Sequence, residues 1–573
     1  MAEVVYPNVW GPGQLFAFSG FDGDTDWFHP FVGTTLDEDL GFLFHLKVPR
    51  RLWCEPTSLA VSELTARVVT GDCVEFSVRF SRGASFPLRY LFLDCFTVVG
   101  ETSTEMPPQV RAEGSALVSR GENVTTHSSV GEHTSLVTEA YGARLFFAFS
   151  FSPTSDALAT DQARKALEAN LAGLQRRKLL FYSTLPSMPD ASDRRRRTAG
   201  KAVSVLRANL MGPQGFIPYR WTTPDRWPHQ DLWLWDACFG VFGYRVFSPD
   251  VASEVLEAML SSQHPDGFIA HRTFPTGMSE IASPPLLAWT CYQLVRFTTD
   301  DSLAAWVYPQ LVRFVEWVLT HRRADGSDLL SWRMNDDPRC RCDESGMDNS
   351  PRFDRGLPLE AVDLNAYVVG EMKSLADLAT IIDRGKESRE WKARAADLAD
   401  AVNTRLWDDA EGFYFDREVG GERVSLKTSA GFLPMWAGIP DRPRARRLVQ
   451  HLMNPDGFWT AFPVPSVARN EPSYRRDMWR GPTWLNIDLL IVFALREYGL
   501  TEEALQLTDR VLSGVEHWYG RLGSIYEFYD PDGQTPPTEL DRKERLTSGE
   551  GIAPVRDYSW SAACYLALAT GTL

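Results

Sequence analysis

The segments DSLAAWVYPQLVRFVEWVLTHR (301–322) and AVDLNAYVVGEMKSLADLATIID (361–383) decide the fold class of this chain. Both place apolar residues three and four positions apart, which predicts long amphipathic helices. The stretch between them is long and rich in Trp, Pro, Gly and Asp, unlike the short connections usual between packed helices. Long loops on a rigid scaffold commonly carry binding and catalysis, so the functional residues are expected in loops of this kind.

The same helical periodicity recurs in twelve segments from about residue 190 to the end of the chain. Several begin with a residue that favours a helix N-terminus, and Ser388, Asp441 and Thr501 are predicted helix starts. Twelve helices paired as six hairpins would close into an (α/α)6 toroid. We therefore predict a mainly α protein whose toroid occupies residues 191–573.

The first 155 or so residues follow the pattern of short β-strands. Aromatic and β-branched runs such as PLRYLFLDCFTVV (87–99) and ARLFFAFSFSP (143–153) are separated by Gly, Pro, Asp and Ser. Helical spacing then begins near residue 156. The predicted organisation is an N-terminal β-sandwich-like domain (1–155), a helical linker (156–190) and the (α/α)6 domain (191–573).

Composition limits the partners of the chain. It has 59 Lys and Arg against 75 Asp and Glu, a net charge of −16, which argues against a nucleic acid or an anionic membrane as partner. No apolar stretch is long enough to cross a bilayer, and no secretory signal pattern is visible, so a cytoplasmic location is expected. Among eight cysteines only Cys340 and Cys342 lie close together, without a second pair or a His cluster for zinc, and reduced thiols are expected.

Tryptophan is concentrated in the helical region and its loops. Sixteen of the 19 tryptophans follow residue 200. In WPHQDLWLWDACFG (227–240), Trp233, Trp235 and Asp236 stand where a loop enters a helix. Indoles present large flat faces that can stack on the C–H face of a sugar ring, although core packing explains many single tryptophans. Asp236 either caps the helix or accepts hydrogen bonds from sugar hydroxyls, and both interpretations stay open.

The acidic loop DESGMDNSPRFD (343–354) contains a candidate general acid, Asp348. Asp348 lies between Met347 and Asn349, and an apolar environment would keep a proton on its carboxyl, as acid catalysis requires. The alternative is a capping or calcium-binding loop. The D-x-[DN] spacing of a calcium loop is absent, which makes that alternative weaker.

Two later motifs combine aromatic and charged residues. In RRDMWRGPTWLN (475–486), Trp479 and Trp484 flank Arg480 and Gly481. In GSIYEFYDPDGQ (523–534), Glu527 lies between two aromatic residues.

An isolated carboxylate among aromatic side chains is costly unless it has a function. Asp348 and Glu527 come from distant segments and fit glycoside hydrolysis, in which one carboxyl protonates the leaving oxygen and the other activates water or attacks. Spacing in the sequence leaves inversion and retention both open.

In the order WLWD, ESGMDNSP, MWRGPTW and IYEFYDP, these motifs resemble glycoside hydrolase family 63 and its trehalase-like relatives over roughly residues 200–570. The family includes α-glucosidases and glycosylglycerate hydrolases. The resemblance implies an inverting α-glycosidase that acts on a small carbohydrate and requires no cofactor, and it is compatible with a structural calcium ion. The family pattern has Tyr where this chain has Met478, which removes a phenol donor and puts recognition of glycerate in doubt if that Tyr serves the aglycone.

Site residues carry over from the resemblance one by one. It implies that Asp348 is the general acid and Glu527 the general base. It places the following residues around the substrate: Trp233, Trp235, Asp236, Gln263, Trp479, Arg480, Gly481 and Trp484. The competing acids in the same regions are Glu344, Asp354, Glu360 and Glu550.

Two alternatives to a hydrolase remain at this stage. A sugar isomerase or epimerase can share the toroid but generally uses histidines for proton transfer, and His229, His264 and His271, the histidines near the motifs, are not expected to accompany Asp348 or Glu527. A non-catalytic carbohydrate-binding protein would keep the tryptophans but would not need both carboxylates. The choice between glucose and mannose, the aglycone and the oligomeric state stay open.

Overall fold

The computed structural model describes residues 4–36, 40–46, 51–57, 61–81, 85–114, 116–188, 190–324, 326–545 and 553–573. Glu550, one of the competing acids, lies outside the described residues. Within those ranges, no helix combines the length and apolar character needed to cross a membrane.

The N-terminal region consists of antiparallel strands in two sheets. The strands are β1 (Leu15–Phe16), β2 (Val32–Thr35), β3 (Phe42–His45), β4 (Arg51–Pro56), β5 (Val61–Val69), β6 (Cys73–Phe80), β7 (Ser85–Asp94), β8 (Thr97–Ser103), β9 (Pro108–Ala112), β10 (Ala116–Arg120), β11 (Val124–Ser129), β12 (Glu132–Tyr141) and β13 (Arg144–Ser152). One sheet has the order β1-β2-β3-β4-β9, and the other has the order β10-β11-β12-β13-β8-β7-β6-β5.

The two sheets share one aromatic core. Phe16 stacks on Phe42 with ring centroids 4.0 Å apart, and Phe31 stacks on Phe44 at 4.3 Å. β6 buries alternate side chains, as a strand with one face on a core should. The alternation of its sequence therefore decides which face of the sheet turns inward.

Two helices follow the strands, α1 (Asp156–Ala166) and α2 (Leu171–Leu180). Their buried residues pack on the second sheet, where Ala163 and Leu174 join a cluster with Leu91 and Val99. The segment predicted to be a linker therefore covers the face of that sheet opposite the aromatic core.

The rest of the chain is helical, with short strand pairs in its loops. The helices are α3 (Asp193–Asn209), α4 (Leu234–Phe247), α5 (Pro249–Ser261), α6 (Leu287–Thr298), α7 (Asp301–His321), α8 (Val362–Ile381), α9 (Gly385–Arg405), α10 (Leu433–Trp436), α11 (Arg442–Leu452), α12 (Leu485–Glu497), α13 (Thr501–Leu522) and α14 (Ser559–Thr570). The strands are β14 (Leu210–Met211), β15 (Trp221–Thr222), β16 (Leu232–Trp233), β17 (Arg272–Phe274), β18 (Gly277–Met278), β19 (Leu359–Glu360), β20 (Trp407–Asp408), β21 (Phe413–Tyr414) and β22 (Arg417–Glu418). Each of the twelve segments predicted from periodicity overlaps one of these helices.

Helix starts are less well predicted than helices. Asp441 caps α11 by accepting a hydrogen bond from the Arg444 amide. The predicted start at Ser388 is wrong, because the chain turns at Asp383 (φ 59°) and begins α9 at Gly385. Thr501 is the first residue of α13, and the N-cap position is Leu500, one residue before the predicted start.

Six helices contact one another in a closed cycle within the described part of the chain: α4, α6, α8, α10, α12 and α14. α4, α8, α12 and α14 are buried nearly all round, as apolar helices inside a larger assembly should be. The helices α3, α5, α7, α9 and α13 pack against the cycle from outside.

A buried charge cluster joins the sheets to the helices. The Lys178 ammonium lies 2.6 Å from Asp22 and 2.9 Å from Asp72, and the Arg207 guanidinium lies 3.2 Å and 3.5 Å from the same carboxylates. Burial alone raises the pKa of Asp72, but the two cations outweigh it and lower the pKa to about 2.

We expect Lys178→Met to lower the free energy of unfolding by about 3–5 kcal/mol, because it removes one partner of a buried ion pair. Urea denaturation measures the change. The control is Lys165→Met, which removes an exposed pair with Asp161 and should change little. An equally small effect of both variants would contradict a stabilising role for the cluster.

The same cluster predicts acid sensitivity. The folded pKa of Asp72, about 2, lies below its ordinary value of 3.8. Its contribution to stability is therefore complete above pH 3.8 and is lost as the pH falls toward 2.

Candidate active site

Loops that lead into α4, α12 and α14 line a cavity of about 130 Å³. Its walls are formed by Pro224, His229, Trp233, Trp235, Asp236, His271, Gly346, Asp348, Met478, Trp479, Trp484, Glu527, Arg542, Lys543, Tyr558 and Trp560. The four motifs singled out in the sequence all contribute to this cavity.

Three helices begin at the cavity with an aromatic residue in place of a polar cap. Trp233, Trp484 and Tyr558 directly precede α4, α12 and α14, each with extended backbone and none with a capping side-chain hydrogen bond. Helix N-termini carry a partial positive charge and exposed N–H groups, which suit electron-rich oxygens of a ligand. Aromatic surface and helix N-termini are thus combined in one wall.

The indoles form a continuous apolar surface. Trp479 and Trp484 stack in parallel with centroids 3.8 Å apart, and Trp560 meets Trp235 edge-on at 5.0 Å. The Trp484 indole N–H donates to the Met478 carbonyl, whereas the indole N–H groups of Trp233, Trp479 and Trp560 have no hydrogen-bond partner among the described residues. An unsatisfied buried donor is costly, so these three groups suit the hydroxyls of a bound sugar.

Asp236 is held by a phenol and does not cap its helix. The Tyr558 hydroxyl donates to Asp236 Oδ1 over 3.0 Å, and Trp233 occupies the N-cap position of α4. Burial raises the pKa of Asp236 well above its ordinary value, and the charge of Glu527 adds to the shift. The capping alternative from the sequence is therefore wrong, and Asp236 is a polar group of the cavity wall.

Asp348 lies in the cavity on the acidic loop, but its neighbour is a cation. The Lys543 ammonium lies 2.7 Å from Asp348 Oδ2, and the Asp348 side chain is 18% exposed. The expectation of an apolar environment for Asp348 is therefore wrong. Gly346 lets the loop approach the indoles, because a Cβ at this position would lie 2.2 Å from the ring of Trp235.

A buried ion network anchors the acidic loop. The Arg352 guanidinium donates to both oxygens of Asp363 over 2.6 Å and 2.9 Å and to both oxygens of Asp416 over 2.7 Å and 2.9 Å. Asp363 also accepts from the Trp332 indole and Asp416 from the Val362 amide. Every partner is hydrogen-bonded, which is the condition under which buried charges are tolerated.

Glu527 is buried and held by a guanidinium. Arg542 Nε donates to Oε2 over 3.0 Å, Arg542 Nη2 donates to Oε1 over 3.3 Å, and the Val555 amide also donates to Oε2 over 3.2 Å. The carboxylate therefore has one defined orientation.

Arg542 and Lys543, which sequence reasoning missed, bind the two candidate carboxylates from consecutive positions. The Lys543 amide donates to Asp477 Oδ1 over 2.7 Å, so their loop is attached to the segment that carries Trp479. The available signal was the pair of basic residues at 542 and 543 among acidic neighbours in the sequence. Its spacing did not identify Glu527 and Asp348 as the partners.

The histidines also differ from the prediction, since His229 and His271 line the same cavity as Asp348 and Glu527. His229 is paired with Asp225 over 2.7 Å. Burial lowers the pKa of His271, although the nearby charge of Asp348 opposes the shift.

Three predicted substrate-binding residues lie away from the cavity. The Gln263 amide donates to the carbonyls of Gly267 and Gln310, and Gln263 Oε1 accepts from Arg313, so its side chain is occupied elsewhere. Arg480 forms two 2.7 Å hydrogen bonds to Asp354 and does not line the cavity.

Gly481 is required by close packing, because a Cβ there would lie 2.1 Å from the Arg475 carbonyl oxygen. Gln263, Arg480 and Gly481 do not line the cavity, and their role in substrate binding stays a prediction.

The competing acids are engaged in other contacts. Glu344 binds Arg322, Asp354 binds Arg480 and Glu360 binds Arg405. None of these three lines the cavity. Within the described ranges, no group of three or more His, Cys, Asp or Glu side chains is arranged to hold a metal ion.

The sequence model of one family, described as the mannosylglycerate hydrolase MGH1-like glycoside hydrolase domain, matches residues 228–561. The chain belongs to glycoside hydrolase family 63. It is therefore an enzyme that hydrolyses glycosidic bonds, and the isomerase, epimerase and binding-protein alternatives are wrong. The match spans all four cavity motifs.

Individual relatives agree with this assignment. The chain is 27% identical over 454 residues to a mannosylglycerate hydrolase of Thermus thermophilus, covering 64% of this chain and 99% of that one. A solved family 63 mannosylglycerate hydrolase from the same species, in complex with glucose, has a TM-score of 0.53 and 25% identity, covering 65% of this chain and 99% of that one.

The N-terminal sheets have a counterpart in a more distant structure. A bacterial glucoamylase complexed with acarbose covers 100% of this chain and 96% of its own length, with a TM-score of 0.62 and 10% identity. At this identity the likeness shows the fold alone. A sheet-rich domain followed by a helical domain is thus an arrangement found in another solved protein.

We expect Arg352→Met to lower the free energy of unfolding of the enzyme by about 3–5 kcal/mol, because it leaves Asp363 and Asp416 buried without their cation. Chemical denaturation followed by tryptophan fluorescence measures the loss. The control is Arg355→Met on the same loop, where the guanidinium is 66% exposed. A loss for Arg352→Met no larger than for this control would show that the network does not anchor the loop.

Proposed function

We propose that the chain is an inverting α-glycosidase that hydrolyses a small α-glucoside or α-mannoside. The observation that supports this best is the cavity itself, which Asp348 and Glu527 both line beside indoles whose N–H groups have no partner among the described residues. Membership of glycoside hydrolase family 63 supports the reaction class.

The architecture in this proposal is an (α/α)6 catalytic domain. The closed cycle of six helices with further helices outside supports a toroid over residues 191–573. Residues 1–155 form a β-sandwich domain in this architecture, and residues 156–190 connect it to the toroid.

Asp348 acts as the general acid and Glu527 as the general base. Asp348 gives its proton to the glycosidic oxygen while the bond from that oxygen to the anomeric carbon breaks. Glu527 accepts a proton from a water molecule whose oxygen forms the new bond on the opposite face. The sugar released from an α-glycoside is then the β-anomer.

Arg542 acts through Glu527 as a positioning residue. Its two hydrogen bonds reach different oxygens of the carboxylate and hold the group in one plane. A base must be oriented toward the water it activates, and misplacement by about an ångström can be costly to rate.

Lys543 forms an ion pair with the proposed acid. Its ammonium lies 2.7 Å from Asp348 Oδ2. Asp348 must carry a proton to act as an acid. Burial opposes the charge of Lys543, but the attraction of Asp348 outweighs it and raises the pKa of the lysine. We infer that the ion pair opens when a glycoside enters and that Lys543 then faces the leaving group.

The substrate in this proposal is small. The cavity of about 130 Å³ is well below the ~300 Å³ at which pockets for drug-sized ligands begin, which supports a site for one sugar unit. Relatives named mannosylglycerate hydrolase and periplasmic trehalase support a glycosylglycerate or a disaccharide as the whole substrate. Met478 lines the wall, and the Lys543 ammonium, 2.7 Å from Asp348 Oδ2, is the cation beside the proposed acid.

We expect purified enzyme to release a monosaccharide from at least one of glucosylglycerate, mannosylglycerate, trehalose, kojibiose, nigerose, maltose and isomaltose. Asp348→Asn and Glu527→Gln should each lower kcat/KM by about 10²–10⁴-fold, because each removes one proton-transfer group. Proton NMR in the first minutes should show the β-anomer.

The matched control is Asp336→Asn, an exposed carboxylate that precedes the acidic loop. First appearance of the α-anomer would contradict inversion. Full activity of either cavity variant would contradict the assigned roles.

Lys543→Met should lower kcat/KM by about 10- to 100-fold, because it removes the ammonium that lies 2.7 Å from Asp348 Oδ2 and helps to hold this carboxyl in place. The control is the exposed Lys386→Met, which should leave kcat/KM unchanged. Equal kcat/KM for Lys543→Met and wild type would show that the ion pair does not position the proposed acid.

A further inference from the structure

A second cavity, of about 330 Å³, lies between the N-terminal strands and two loops of the helical region. Its strand side is formed by Gly13, Leu15, Thr34, Leu43, His45 and Arg51, and its loop side by residues 225–228 and 553–556. The family match begins at residue 228, so the strand side belongs to a part of the chain outside that domain. The catalytic roles proposed above use none of these residues.

The charges that face the second cavity are mostly positive. Arg51, Arg226 and Arg556 line it, with Asp225 as the carboxylate. Asp225 is engaged, because it accepts hydrogen bonds from both the amide and Nδ1 of His229.

Arg226 is a buried cation without a carboxylate partner among the described residues. Arg226 Nη1 donates to the carbonyls of Phe18 and Ala208 over 3.0 Å and 2.8 Å. Burial lowers the pKa of Arg226 to about 10, and the guanidinium stays charged at neutral pH. A buried charge is costly unless it is paired, so the site favours an anion nearby.

Arg556 adds an unsatisfied donor on the same wall. Its Nε is buried without a hydrogen-bond partner among the residues described. Its side chain lies directly over Gly13 (φ 75°), where a Cβ would come within 2.7 Å of Arg556 Cδ and Nη1. Gly13, just before the first strand, therefore packs directly against the Arg556 side chain.

The remaining wall is aromatic and apolar. The rings of Trp227 and His45 are nearly parallel, at 14°, with centroids 5.0 Å apart. Burial, together with Arg51, lowers the pKa of His45 to about 4, so the ring is neutral at pH 7. Leu15, Leu43 and neighbouring side chains extend this surface.

We propose that the second cavity is a binding site for a small organic anion, a carboxylate or phosphate group on a compact apolar body. Its volume lies within the ~300–1,000 Å³ typical of ligand pockets, and its few polar groups are cationic donors set in an apolar wall. Arginine forks match both anions, which explains why the two chemistries share one site.

The site is linked to the catalytic cavity by two short connections. Val555 lines the second cavity, and its amide donates to Glu527 Oε2. Asp225 lines the second cavity and holds His229 in the wall of the other. A ligand that fixes the 553–556 segment therefore also fixes a partner of Glu527, so the site acts as an effector site.

Isothermal titration calorimetry of the full chain with phenyl phosphate, benzoate, inorganic phosphate and neutral benzyl alcohol tests the proposal. We expect one saturable site for phenyl phosphate or benzoate and none for benzyl alcohol. If only one of these two aromatic anions binds, the result shows whether the site prefers a phosphate or a carboxylate group. Arg51→Gln and Arg556→Gln should each weaken binding by about 10-fold or more, because each removes a charged donor.

The controls separate this site from other cations and from the catalytic cavity. Arg120→Gln removes an exposed cation of the same domain and should leave the isotherm unchanged. Asp348→Asn should also leave it unchanged. Absence of saturable binding at millimolar concentrations, or equal binding by Arg51→Gln, Arg556→Gln and wild type, would overturn the proposal.

The effector role rests on the proposed function and has its own readout. With an active substrate, a saturating anion should change kcat/KM by about 5-fold or more in wild type but not in Arg556→Gln, as expected for two coupled sites. An unchanged kcat/KM would overturn the coupling. Since the calorimetry needs no substrate, failure of the hydrolysis assay would not affect the binding result.

Discussion

The placement of the acidic loop depends on one buried guanidinium. Arg352 binds Asp363 at the start of α8 and Asp416 in the turn between β21 and β22, and so joins three segments that are far apart in sequence. Without this network the carboxylates would repel one another in an apolar surrounding. With it, Asp348, four residues before Arg352, is carried to a fixed point at the cavity.

A second pair of cations completes the site. Arg542 and Lys543 bind Glu527 and Asp348 from one loop, which is itself attached to Asp477. The geometry of the two carboxylates is therefore set jointly and not by two independent loops. Such coupling means that a change in this loop acts on both groups, and that single substitutions in it are not expected to be additive.

The N-terminal strands contact the segment that leads into α14. Asp557, the residue before Tyr558, accepts hydrogen bonds from the Leu15 amide of β1 and from the Ser524 hydroxyl, and its carboxylate pairs with Lys201 over 2.9 Å. The phenol that holds Asp236 is thus placed by a contact between the strands and the helical region. The N-terminal strands therefore contact the segment that directly precedes a residue of the cavity wall.

The sequence by itself determined the helices, the strand-rich beginning and the four motifs that line the cavity, because periodicity and local motifs depend on neighbours along the chain. It identified Asp348 and Glu527, and both lie in the cavity. Only the tertiary structure decided that Lys543 pairs with Asp348, that His271 lines the cavity and that the Gln263 side chain binds backbone carbonyls away from it. These contacts join residues far apart in the chain, and their energy depends on distance and burial in the folded state, which local spacing does not encode.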